Sequence, residues 1–210
     1  MKKVFTIFLL ASLTMAAQNV SPPDTLVWLK APVGKASKAK TITLKTTGEE
    51  LAAHAFTTIQ EHVSLISNVP AGHMGSLTLY FNSGLINLNK KEFGVEYQDT
   101  NLRLVVYDVG IDGRPGNLLT PVPLYFTVTK DHRGALELDL SALKLTTRPQ
   151  LFIGMAATDN HTAEQVILKV RENKNALSFI KAKGSNQWTE YSDGTGFKFD
   201  IKMRVGVVVE

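Results

Sequence analysis

The feature that most restricts this chain is a period of two. From Phe197 to Val209 the residues Phe197, Phe199, Ile201, Met203, Val205, Val207 and Val209 fall on one side. Lys198, Asp200, Lys202 and Arg204 fall on the other. Successive side chains of a strand point to opposite faces, so this pattern predicts a half-buried β-strand. The same alternation marks Thr41–Thr46 with Ile42 and Leu44 inward, and Ser76–Asn82 with Leu77, Leu79 and Phe81 inward. Leu124, Phe126 and Val128 repeat it, as do Leu136, Leu138 and Leu140 against Glu137, Asp139 and Ser141.

Further strands are expected over Thr25–Lys30, His62–Asn68, Leu102–Val109, Leu151–Ala157, Val166–Arg171 and Leu177–Ala182. The connections carry turn chemistry, at Pro70-Ala-Gly72, Asn82-Ser-Gly84, Asp112-Gly113, Asp131-His-Arg-Gly134, Lys183-Gly184 and Asp193-Gly194. Helical spacing is confined to one turn over Gly48–His54 and a short one over Asp139–Leu143. About ten strands separated by turns predict an all-β fold, an antiparallel β-sandwich or jelly roll.

The N-terminus reads differently. Met1-Lys2-Lys3 is basic, Val4–Leu13 is apolar apart from Thr6 and Ser12, and Ala16-Ala17 precede the polar Gln18-Asn19. This is the order of a secretory signal peptide over residues 1–17, with cleavage after Ala17 or Ala16. The apolar run falls short of the roughly 20 residues that span a bilayer. Residues 18–24, with Ser21-Pro22-Pro23-Asp24, read as an exposed leader, and 25–210 as one sandwich domain. The expected location is outside the cytoplasm, either periplasmic or secreted to the cell surface.

Composition narrows the chemistry. The chain has no cysteine, which removes disulfides, thiolate metal sites and a lipid-modified N-terminal cysteine. The formal charge of +4 falls to +2 once Lys2 and Lys3 are cleaved away. That leaves little support for nucleic-acid binding, which needs a concentrated basic face. Lys35, Lys38 and Lys40 read as a solvated linker or edge. No segment beyond the leader is apolar for long enough to cross a membrane as a helix.

One family resemblance enters on a run of motifs between Ser76 and Ala157. They are Leu102-Arg-Leu-Val-Val-Tyr-Asp, Gly113-Arg-Pro-Gly116, His132-Arg-Gly134-Ala-Leu-Glu-Leu-Asp-Leu and Leu151-Phe-Ile-Gly-Met. The chain resembles β-sandwich modules of secreted and cell-surface proteins of Bacteroidota-type bacteria, of carboxypeptidase-regulatory-like or jelly-roll type. The resemblance implies a fold and a location. It transfers no activity and no catalytic residue.

Candidate sites are few. Asp108 and Asp112 flank a glycine-rich loop that offers two carboxylates and backbone carbonyls, so calcium is one reading and a plain connection, with bends at Asp112-Gly113 and Pro115-Gly116 and Arg114 facing solvent, is the other. The histidines, His54, His62, His73, His132 and His161, lack zinc-site spacing. His73 and Ser76 lie close in sequence without the elbow of a serine hydrolase, and Glu137 with Asp139 reads as a solvated strand face. No catalytic constellation emerges.

Trp188, Tyr191 and Asp193 form the one aromatic-and-polar cluster suited to a sugar face. The alternative there is that Trp188 plugs an end of the core. The functional expectation is therefore a non-catalytic binding or accessory module for a glycan or an envelope partner. A structural assembly subunit recruiting partners through a strand edge, or a carbohydrate-active hydrolase, is the alternative. In the first of these the last strand would lie near an edge, although Val207-Val208-Val209 points to burial on both faces.

Overall fold

The computed structural model describes residues 27–32, 40–56, 58–82, 99–130, 132, 134–158, 166–192 and 196–209. The expected signal peptide, the leader, Lys35, Lys38, His161 and Asp193 lie outside them. Among the described residues fifteen strands form two packed sheets, so the sandwich expectation holds, with more strands than the alternation suggested.

The eight-stranded sheet contains β1 (Val27–Trp28), β4 (Ile59–Ser67), β6 (Thr100–Val109) and β7 (Pro115–Leu118). It also contains β8 (Leu124–Val128), β10 (Gln150–Ala157), β12 (Ser178–Ala182) and β13 (Thr189–Glu190). Its order is β1-β8-β6-β10-β4-β12-β13, with β7 folded back on β6. Among the described strand pairs only β1 with β8 is parallel. The seven-stranded sheet holds β2 (Thr41–Lys45), β3 (Glu49–Ala55), β5 (His73–Asn82) and β9 (Gly134–Asp139). β11 (Ile167–Glu172), β14 (Phe199–Ile201) and β15 (Met203–Val208) complete it. β15 lies between β5 and β2, so the last strand is interior. That corrects the edge placement; of the three terminal valines Val207 is fully buried, while Val208 and Val209 are half-buried.

The alternating residues fill the space between the sheets. Leu77, Leu79, Phe81, Leu124, Phe126, Val128, Leu138, Ile201, Met203, Val205 and Val207 are all buried there. Three expectations fail. Gly48–His54 is not a helical turn, because Glu49–Ala55 pairs with β11. Phe197 is exposed, because it precedes the point where β14 begins to pair. Asp200 is buried, although the alternation groups it with the solvated lysines.

Asp200 closes a polar ring between the sheets. Ile201 N–H donates to Ser64 Oγ (2.7 Å), Ser64 Oγ and Ser178 Oγ share a short hydrogen bond, and Ser178 Oγ–H donates to Asp200 Oδ1 (3.0 Å). The ring ties β4 and β12 of one sheet to β14 of the other. Burial pushes the Asp200 carboxyl up to about 6, against the hydrogen bonds from Ser178 and the Leu177 amide. Below pH 4 the folded and unfolded chains both hold this proton. Between pH 4 and 6 the unfolded chain releases it first, so stability falls as pH rises through that window, by on the order of 3 kcal/mol. Asp200→Asn should flatten this slope and be at least as stable as wild type at pH 7.5. Urea unfolding across pH 4–8 checks it, and an unchanged slope contradicts it.

Candidate functional site

The middle strands of the eight-stranded sheet are apolar on both faces. Val63, Val105, Tyr107, Phe152, Ala156 and Phe179 point away from the main core and are buried nonetheless. Near-continuous apolar runs such as Leu151-Phe-Ile-Gly-Met-Ala-Ala require this two-sided cover. Leu65, Val109, Leu177 and Trp188 pack around the margin of this second core.

Trp188 arrives on the segment between β12 and β13. Lys183 N–H donates to Thr58 O, Ser185 N–H to Ala182 O, and Gln187 N–H to the Ser185 hydroxyl. These bonds turn the chain back over the sheet. The indole then meets Tyr107 edge-on, with ring centroids 5.4 Å apart. Tyr107 belongs to β6, three strands from β12 in the sheet order, so the segment reaches across β4 and β10.

A charged cluster supports the contact. Tyr107 Oη–H donates to Glu61 Oε2 at 2.6 Å. Arg103 Nη2 and Lys181 Nζ lie 3.7 and 3.5 Å from Glu61 Oε1. Lys181 Nζ also sits 4.1 Å from the Trp188 ring centroid, a cation–π distance. Burial, reinforced by the bond to Glu61, pushes the Tyr107 phenol up, so it is a donor at every physiological pH.

The second wall is the hairpin between β6 and β7. Gly110 N–H donates to Arg114 O (2.7 Å) and Gly113 N–H to Gly110 O (3.0 Å). With Gly113 at φ +77° this is a three-residue loop closed by a left-handed glycine. Pro115-Gly116 is therefore the start of the returning strand and not a second bend. Asp108 is buried at its base, where Asn117 donates to both carboxylate oxygens and Arg148 Nη1 lies 2.9 Å from Oδ2. Burial raises its pKa, but the Asn117 and Arg148 bonds outweigh that and leave it below the ordinary value. A Cβ on Gly116 would lie 2.4 Å from Asp108 Oδ1, so only glycine admits this contact.

Asp112 is at the hairpin tip instead, accepting from Arg114 N–H at 3.2 Å. The two aspartates thus have separate partners. Among the described residues no three histidine or acidic side chains gather as a metal-holding group.

Arg114 does not simply face solvent. Its Nη1 lies 3.4 Å from the Trp188 carbonyl oxygen and joins the hairpin to the Trp188 segment. Between them opens a cleft of about 590 Å³. Leu177 and Phe179 are its apolar lining, Trp188 one wall, and Asp112, Arg114, Gln187, Thr189 and Glu190 its polar groups.

Of the expected ligand residues, Trp188 lies here, half-buried against the second core and not at an end of the main one. Tyr191 is set apart, with its ring 4.8 Å from His62 and 5.7 Å from Phe199 at the margin of the main core. Burial raises its phenol pKa. Glu61, Arg103, Tyr107 and Lys181 were not foreseen. The available signal was a charged residue at alternate positions of otherwise apolar strands, as at Glu61 and Arg103.

No known protein family matches this chain, and neither a curated protein nor a solved structure does. Among the described residues no helix is long and apolar enough to cross a membrane.

The packing makes Trp188 part of the fold as well as of the cleft. Trp188→Ala should cost roughly 2–3 kcal/mol, below the ~3–5 of a fully buried ring, and Trp188→Phe clearly less. Guanidinium unfolding measures both. A loss under ~0.5 kcal/mol for the alanine variant, typical of an ordinary surface site, would contradict this role.

Proposed function

We propose that this protein is an exported, non-catalytic binding module whose ligand is a glycan held in the cleft beside Trp188. The observation that carries the reading is the cleft's composition: a half-buried indole and apolar lining beside a guanidinium, an amide, a hydroxyl and two carboxylates. Sugars present apolar ring faces and hydroxyl edges, and such a mixture meets both. The indole is preorganised by Tyr107 and Lys181, so little conformational entropy is lost when a ligand stacks on it. The signal-peptide pattern of residues 1–17 and the resemblance to secreted Bacteroidota-type modules support an extracytoplasmic setting for such a ligand.

A second reading, a carbohydrate-active hydrolase, draws on Asp112 and Glu190 lining the same cleft. Glu190, however, is ion-paired with Lys198, and Asp112 accepts from Arg114 N–H. Both acids thus already have local partners.

The test is affinity electrophoresis of the exported form against bacterial, plant and host polysaccharides, with product analysis of each mixture. At least one polysaccharide should retard the protein without being cleaved, and Trp188→Phe and Arg114→Ala should each weaken retardation at least about tenfold. Retardation unchanged in both variants, or no retardation by any polysaccharide, overturns the reading. Release of oligosaccharides that stops in Asp112→Asn or Glu190→Gln would replace it with the hydrolase.

A further inference from the structure

A second cleft, of about 280 Å³, opens where the ends of β2 and β4 meet the turn between β11 and β12. It is separate from the Trp188 site in all but Leu177, which lines both. Its lining includes Asp200, which is only 5% exposed.

Asp200 is unusual among the described buried acids. Glu61 faces Arg103 and Lys181, and Asp108 faces Arg148. The hydrogen bonds to Asp200 come from the Ser178 hydroxyl and the Leu177 amide, both neutral. An asparagine would accept the same bonds without the cost of burying a charge. Closing the polar ring therefore does not by itself require an acid. Fold stability is spent on a carboxyl at the edge of a cleft, and that is where ligand-binding groups are found.

The surroundings define the ligand. Ser67, Asn68, Thr47 and Asn175 contribute hydroxyls and amides that both donate and accept. Lys45 is the only other charged group lining the cleft among the described residues. The volume lies just under the ~300–1,000 Å³ of clefts that take drug-sized molecules, which suits a single ring. We propose that this cleft is a binding site for one neutral sugar ring, with Asp200 accepting from its hydroxyls and Asn68 and Asn175 flanking it.

In the ionised form the carboxylate accepts from neighbouring ligand hydroxyls in addition to the Ser178 hydroxyl and the Leu177 amide. Because burial holds the Asp200 pKa near 6, occupancy should be greater at pH 7.5 than at pH 5, where the acid form offers fewer acceptor sites.

The experiment is ¹H–¹⁵N NMR titration of the exported form at pH 7.5 with glucose, galactose, mannose and xylose, each alone. At least one should move the amides of Asn68, Asn175 and Asp200, in wild type and equally in Trp188→Phe, which separates this site from the other. Asp200→Asn should lose affinity at least about tenfold, the loss of a charge-assisted hydrogen bond, while its unfolding midpoint does not fall. A merely structural role would leave binding unchanged in that variant. The proposal is overturned if none of the four sugars moves these amides, if Asp200→Asn binds as wild type does, or if only added calcium moves them. Failure here with polysaccharide retention intact at Trp188 would leave the first site standing.

Discussion

The eight-stranded sheet has two apolar faces and a sandwich partner for only one. Everything on its outer side follows from that mismatch. Val63, Val105, Phe152 and Phe179 would otherwise lie open to water, at a cost of about 25 cal/mol for each Å² of apolar surface left uncovered. The chain meets the need locally, by folding the segment before β13 over the sheet and setting Trp188 on Tyr107. A cover of this kind has a rim, and the proposed ligand cleft is the rim between the Trp188 segment and the β6–β7 hairpin. The proposed binding surface and the second core thus share Leu177, Phe179 and Trp188.

Charge is used sparingly and in defined places. Glu61 is drawn under the aromatic contact, where a phenol, a guanidinium and an ammonium surround it. Asp108 is spent on holding the hairpin base, which sets where Asp112 and Arg114 stand. On the outer face of the other sheet, Glu50 bonds Lys169 and Lys202, and these bonds hold its carboxyl down at about 2. Asp200 departs from this scheme, because its protein partners are neutral, and the second cleft opens beside it.

Much of the fold was legible because burial on a strand repeats every second residue. Leu77, Leu79 and Phe81, and Ile201, Met203, Val205 and Val207, fell on the inner face as the alternation required. What escaped was what period two does not encode. Leu51-Ala-Ala-His-Ala has weak strand propensity and becomes β3 through its pairing with β11, a partner more than a hundred residues away. Alternation gives parity but not exposure, so Asp200 reads as solvated although Ser64 and Ser178 lie above it. Trp188 was visible as a candidate, but its partners Tyr107 and Lys181 come from other strands. No local pattern announces that β6, β10 and β4 lie side by side. Arg114 is exposed as the turn chemistry suggested, but its bond to the Trp188 carbonyl escaped for the same reason, since that acceptor is 74 residues away.

The Trp188 segment belongs to the folded body and encloses a second core. With Trp28 replaced by phenylalanine, Trp188 is the one remaining tryptophan and reports on this alone. Its fluorescence during guanidinium unfolding, recorded beside the far-ultraviolet circular dichroism of the strands, is the direct measurement. Trp188 should be partly protected from acrylamide in the native state and should change in a single unfolding transition coincident with loss of the sheets. A Trp188 quenched like free indole, or one that changes at lower denaturant than the strands, would contradict it.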